Sequence, residues 1–288
     1  MATETRKVAE LIEPQLVMEG AGVLLKRSIA TRRLDYLDPF LLFDHFGSDK
    51  PEDYLKGFPM HPHRGIETVT YILAGLVNHK DTLGNSGTIG PGDVQWMTSG
   101  GGIMHEEMPK PKDGKMGGFQ LWVNLPAKLK MSKPRYQEIL SHTIPEVSRA
   151  DGSKIRVVAG QVDGVRGPVT EIAADPEYLD VTVAPGSSFA QLVPRGHTAF
   201  AYVFEGKGTF GATDETPGSV IAGPQLVIFG DGDEVRVTAA GQPVRFLLIS
   251  GKPLGELIAR YGPFVMNTQE EIGQALRDLQ NGTFVWRG

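Results

Sequence analysis

The sequence predicts a mostly-β protein made of two copies of one β-domain, with a single helix near the C-terminus. Three observations carry that expectation. Turn formers are in excess, with 36 glycines and 20 prolines among 288 residues, about 19% where average usage gives about 12%. Short alternating runs lie between them. The chain also carries a faint copy of itself.

In chain order the runs are Glu67-Thr-Val-Thr-Tyr-Ile-Leu73, Asp93-Val-Gln-Trp-Met-Thr98, Phe119-Gln-Leu-Trp-Val-Asn124, Ala201-Tyr-Val-Phe204 and Val235-Arg-Val237. Many short strands separated by turn residues read as a sandwich or a barrel. The helix is signalled by the capping box Thr268-Gln-Glu-Glu271, followed by Ile272, Ala275, Leu276 and Leu279 at helical spacing until Gly282. The repeat pairs His63-Arg64-Gly65 and Tyr71–Gly75 with Pro194-Arg195-Gly196 and Tyr202–Gly206 at an offset of 131. Gly90-Pro91 then matches Gly223-Pro224 at an offset of 133. The boundary between the copies is expected in the polar stretch Ser141–Lys154.

Composition removes several function classes. With 29 Lys and Arg against 34 Asp and Glu, the net charge is −5, which argues against direct nucleic-acid binding. No apolar stretch reaches the roughly 18 residues of a membrane span. The mixed-charge N-terminus lacks the apolar core of a secretory signal. The absence of cysteine excludes disulfides, thiol catalysis and thiolate-held metal. A cytoplasmic protein is expected, with the nucleus open to it in a eukaryotic cell. Gly206-Lys-Gly-Thr-Phe-Gly211 fits a dinucleotide-binding pattern, but no helix follows, and it reads as a hairpin turn.

Chemistry is concentrated in the histidines. In a strand, residues i and i+2 share a face about 6.6 Å apart. His61 and His63 therefore point the same way, as do His105 and Glu107. Two such pairs on neighbouring strands can surround one cation with three nitrogens and a carboxylate oxygen. Glu67 is the competing fourth ligand, four residues beyond His63, and reaches the ion only if Gly65 bends the strand. His45, His79, His142 and His197 read as ordinary isolated histidines. Carrying the offsets across places Leu192, Pro194, Thr238 and Ala240 where the first copy has its ligands, so the second copy reads as metal-free. Met60, Trp96, Met97 and Met104 adjoin the ligands and are expected mainly to pack.

Three segments, His61-Pro-His-Arg-Gly-Ile-Glu-Thr-Val-Thr-Tyr71, Pro91-Gly-Asp-Val-Gln-Trp-Met-Thr98 and Gly102-Ile-Met-His-Glu-Glu-Met-Pro109, resemble the pirin family of bicupins. Leu37–Phe46 and Gly262–Glu271 share the resemblance, which thus covers almost the whole chain. It implies two antiparallel cupin β-barrels: residues 1–145 as an N-terminal metal-binding barrel, and 146–288 as a metal-free barrel with the terminal helix. The family's ligands fall on His61, His63, His105 and Glu107. Glu106 departs from the family pattern and is expected to face solvent.

The resemblance makes iron(II) the first expectation for the metal, with Mn, Ni, Cu and Zn compatible with the donors. It also implies a flavonol such as quercetin and dioxygen as substrates, opened by 2,3-dioxygenation with release of carbon monoxide. Glu107 is the candidate catalytic base for the flavonol proton. The alternative is a redox-sensitive regulatory protein, a transcription cofactor acting through a protein partner.

Overall fold

The computed structural model describes residues 3–112, 114–213 and 215–286. The chain divides into two compact units, and both are discontinuous in sequence. One takes Gln15–Ser141 and the chain from Leu254 onward; the other takes the chain up to Pro14 together with His142–Pro253. Among the described residues, no helix is long and apolar enough to cross a membrane.

The first unit is a two-sheet antiparallel barrel. Its larger sheet runs in the order Arg135–Ile139, Val94–Thr98, Ile66–Ala74, Met116–Asn124, Phe40–Ser48, Val23–Ile29, Gln15–Glu19. Its smaller sheet runs Phe58–His63, Ile103–Lys110, Leu76–Asp81, Ser86–Ile89. Ile66–Ala74 is flanked on both sides and is buried from Ile66 through Tyr71 and Ile72. Its expected alternation is hidden because both of its faces are covered. Ile66 packs with Leu41 and with Val265 from the C-terminal segment.

That C-terminal segment corrects the expected division of the chain. The hairpin Ala259–Tyr261/Phe264–Met266 and the helix Gln269–Gln280 belong to the same unit as Gln15–Ser141, not to the 146–288 half. The reason is physical. Ile272 and Ala275 close an apolar cluster with Ala259, Phe264, Met266 and Phe284, against which Met104 packs. Arg64 ties the segment down, donating to Asp278 Oδ2 at 2.7 Å and to the Phe284 carbonyl at 3.1 Å. Buried Lys130 donates to the carbonyls of Gly65 (3.0 Å) and Val265 (2.8 Å) and to Asn124 Oδ1 (2.7 Å). Gly65 is left-handed, and a Cβ there would overlap the Val265 carbonyl, so only glycine admits this approach. The helix itself is as expected: Thr268 Oγ1 accepts from the Glu271 N–H, and Glu271 Oε2 accepts from the Thr268 N–H.

The second unit repeats the architecture around a large apolar cluster. Its main sheet runs Val8–Ile12, Gln225–Phe229, Thr198–Phe210, Val244–Gly251, Glu177–Val183, Ser153–Ala159, Glu146–Ser148, and Ser187–Leu192 pairs with Glu234–Ala239. The N-terminal strand Val8–Ile12 pairs with Gln225–Phe229, so this unit also recruits a distant end of the chain. Phe189 and Phe210 meet Phe246 edge-on at 5.6 and 5.4 Å. The repeat is real in three dimensions: Tyr71 and Tyr202 are both fully buried on central strands. The glycines on either side of those tyrosines, 65 and 75 in one copy and 196 and 206 in the other, are all left-handed.

Two details differ from the offset reading. His105 stands opposite His61, but Leu192 stands opposite Glu234 and Thr238 opposite Ser188. The register has drifted between copies, so a constant offset does not map ligand positions faithfully. Lys207–Phe210 is strand paired with Ser219–Ala222, which makes the glycine pattern one arm of a hairpin and not its turn.

Candidate metal centre

Alternation along Phe58–His63 sends His61 and His63 to one face, and the antiparallel neighbour Ile103–Lys110 sets His105 directly across from His61. One ring nitrogen from each of the three histidines lies within 4.8 Å of the others. The ring centroids are 4.8 Å apart for His61–His63, 4.4 Å for His61–His105 and 5.1 Å for His63–His105. His63 and His105 are buried and His61 is half-buried.

The protonation states favour metal binding. Burial, reinforced by the neighbouring imidazoles, holds the pKa values of His63 and His105 well below the ordinary histidine value. Both rings are neutral near pH 7 and present lone pairs. His63 Nδ1 and both nitrogens of His105 are buried without a hydrogen-bond partner. His61 Nδ1 lies 3.0 Å from the Pro59 carbonyl, so Nδ1 is the donor in that contact and Nε2 is the nitrogen left for a metal. Leaving such nitrogens unsatisfied costs about 1–3 kcal/mol each. A divalent first-row cation takes one nitrogen from each ring, and three imidazoles suit it. The residues fit a metal.

Glu107 stands beside the three histidines rather than in the group that converges within 4.8 Å. The ladder shifts register between His105 and Glu107. The buried Glu107 side chain lines the same cavity as His61 and His63, and its Oε1 accepts from Thr70 Oγ1 at 3.0 Å. Thr70 Oγ1 is also 2.7 Å from the Gln120 side-chain amide. Its one proton thus has two acceptors within reach, Glu107 Oε1 and Gln120 Oε1.

Glu67 has no part in this arrangement. Gly65 does bend the chain, but the bend opens a strand of the other sheet and carries Glu67 away. Its oxygens accept from Trp96 Nε1 (3.1 Å) and Thr98 Oγ1 (2.8 Å), and burial pushes its pKa up to about 7. Glu106 is half-buried opposite Lys80 on the outer face. His79 Nε2 pairs with Glu138 Oε1 at 2.6 Å, and His45, His142 and His197 stand outside the cluster.

The cavity beside the histidines has a volume of about 330 Å³, within the range of small-ligand sites. Its walls are mainly apolar, from Leu42, Phe46, Phe58 and Trp122 among others. Trp122 meets His63 edge-on at 5.1 Å. These side chains were not singled out in the sequence, because a strand residue facing a cavity has the same pattern as one facing a solid core. Trp96 and Met97 are core, Met104 packs toward the helix and Met60 is largely exposed; none of them lines the cavity. A polar wall completes it: Arg27 grips Asp44 through two 2.8 Å bonds and Glu19 at 2.6 Å, and Arg260 lies nearby.

Comparison with known proteins agrees with this architecture. Residues 22–123 match the Pirin family model and residues 178–285 match the Pirin C-terminal cupin domain. A Pirin-like protein of Caulobacter vibrioides is 45% identical over 97% of this chain and 99% of its own length. The crystal structure of quercetin 2,3-dioxygenase from Acinetobacter baumannii superposes with a TM-score of 0.87 at 35% identity, over 97% of this chain and 98% of that one. A bacterial pirin from Escherichia coli, solved in complex with nickel(II), shares the fold at a TM-score of 0.66 and 18% identity, over 85% of this chain and 99% of that one. Two barrels of this kind, joined in one chain that matches both domain models, make this protein a bicupin of the pirin family.

Proposed function

We propose that the protein is a metal-dependent dioxygenase that opens flavonols such as quercetin with dioxygen, releasing carbon monoxide. The observation that carries this reading is the convergence of three histidines, two of which, His61 and His63, stand on the wall of a mainly apolar cavity of about 330 Å³. A substrate-sized cavity at the centre favours an enzyme over a protein whose metal only regulates partner binding.

His61, His63 and His105 would hold the metal, with Glu107 as fourth ligand, and iron(II) is the first choice. Nickel, the ion in the Escherichia coli relative, is among the alternatives, with Mn, Cu and Zn. Such a cation supplies charge that acidifies a bound hydroxyl and sites at which substrate and oxygen meet. The chain supplies the rest. Leu42, Phe46, Phe58 and Trp122 exclude water and hold an aromatic plane. A Glu107 carboxylate oxygen takes the flavonol 3-hydroxyl proton, while Thr70 Oγ1–H keeps the carboxylate aimed.

The test is carbon monoxide release from quercetin by protein loaded anaerobically with iron(II), beside Glu107→Gln. Carbon monoxide stoichiometric with quercetin loss is expected, with Glu107→Gln retaining some iron and losing turnover. Full activity in Glu107→Gln removes the base role. No turnover by protein with a full complement of iron transfers the reading to the redox-sensitive regulator.

A further inference from the structure

The cavity contains two arginines, and only one of them is committed to carboxylates. Arg27 is held by Asp44 and Glu19. Arg260 donates from Nη1 to the Leu41 carbonyl at 3.1 Å and from Nε to the Gly262 carbonyl at 3.4 Å. Its Nη2 has no acceptor among the described residues, and no carboxylate lies within ion-pair distance of it. It is nonetheless fixed in place. The guanidinium carbon sits over the Trp122 ring, 5.2 Å from the centroid, and Trp122 meets His63 edge-on at 5.1 Å.

Those two contacts bound the separation of the guanidinium from the His63 ring by the sum of their lengths. The guanidinium and the His63 ring therefore share the Trp122 wall of one cavity, within reach of a single aromatic ligand. Burial and the like charge of Arg27 push the Arg260 pKa down from its ordinary value, against the opposing pull of Asp35, Asp44 and Glu19. An arriving anion would relieve this. A planar guanidinium with a free edge is suited to oxygen anions.

We propose that Arg260 recognises an anionic oxygen, a carboxylate or ionised phenol, on an aromatic ligand held in this cavity. The proposal rests on the reading of this cavity as a substrate site and narrows the substrate class: an aromatic that carries an acidic oxygen besides its chelating group.

The test uses the full-length protein and two probes of nearly equal shape, 2-naphthoate and uncharged 2-naphthamide, with binding measured by calorimetry near pH 7.5. Wild type is expected to bind the carboxylate at least tenfold more tightly. Arg260→Gln is expected to level the two affinities, Arg260→Lys to keep a reduced preference, and His61→Ala to keep it in full. Equal affinities in wild type overturn the proposal, whatever the stability of any variant. So does a preference that survives Arg260→Gln, or one lost in His61→Ala but kept in Arg260→Gln, which would place the anion at the histidines. Binding of 3-hydroxyflavone is measured in parallel. Its failure to bind counts against the flavonol reading alone and leaves the naphthoate comparison intact.

Discussion

A 3.0 Å hydrogen bond from Thr70 Oγ1 to Glu107 Oε1 joins the two sheets of the first barrel. Thr70 lies on an interior strand of the larger sheet, and Glu107 follows His105 on the smaller one. The carboxylate is therefore held from outside its own strand, with Gln120 steadying the hydroxyl in turn. Thr70→Val keeps the shape and removes the hydrogen bond. The expected loss in quercetin turnover is about tenfold or more, in line with other partners that orient ligands, with far-UV circular dichroism unchanged. Thr70→Ser should recover most of the activity in the same steady-state assay.

Glu67 makes a prediction about pH. Its folded-state pKa of about 7 stands above the ordinary value of 4.5. Between those values the folded chain retains a proton that the unfolded chain has released. The stability from Glu67 is thus complete below about pH 4.5 and is lost as pH rises to about 7. Glu67→Gln does not titrate, and its amide can still accept from Trp96 and donate to Thr98. Relative to wild type, the variant should gain stability between pH 5 and pH 8, by up to about 3 kcal/mol, read from denaturant midpoints at the two pH values. A constant difference across that range would contradict the shifted titration.

Lys130 predicts how firmly the C-terminal segment is attached. Its buried ammonium serves three oxygens, and burial pushes its pKa down to about 8 against the opposing pull of Glu256 and Glu271. Lys130→Met leaves the Gly65 and Val265 carbonyls and Asn124 Oδ1 without that donor. The expected cost is about 2–3 kcal/mol, and amide exchange should accelerate first in residues 259–284. Uniform acceleration throughout the unit would assign Lys130 to the barrel as a whole.

The site's skeleton was legible because it depends on local parity. His61 and His63 share a face whatever the rest of the chain does, and the capping box at Thr268 needs only four residues. What was hidden depends on partners distant in sequence. The recruitment of the helix by Phe264 and Phe284, and of Val8–Ile12 by Gln225–Phe229, lies outside the repeated segments, so a repeat-based boundary near residue 145 could not detect it. The ladder shift before Glu107 is likewise invisible to a count of residues. Trp122 and Arg260 are 138 positions apart, and only the fold brings the guanidinium over the indole.

The central claim is that His61, His63 and His105 form one metal centre, and metal stoichiometry after anaerobic loading tests it most directly. Wild type should bind one iron(II) per chain after removal of loosely held ion. His61→Ala, His63→Ala and His105→Ala should each fall well below half that value while remaining folded. Full stoichiometry in all three variants would contradict the account, because the metal would then be held elsewhere.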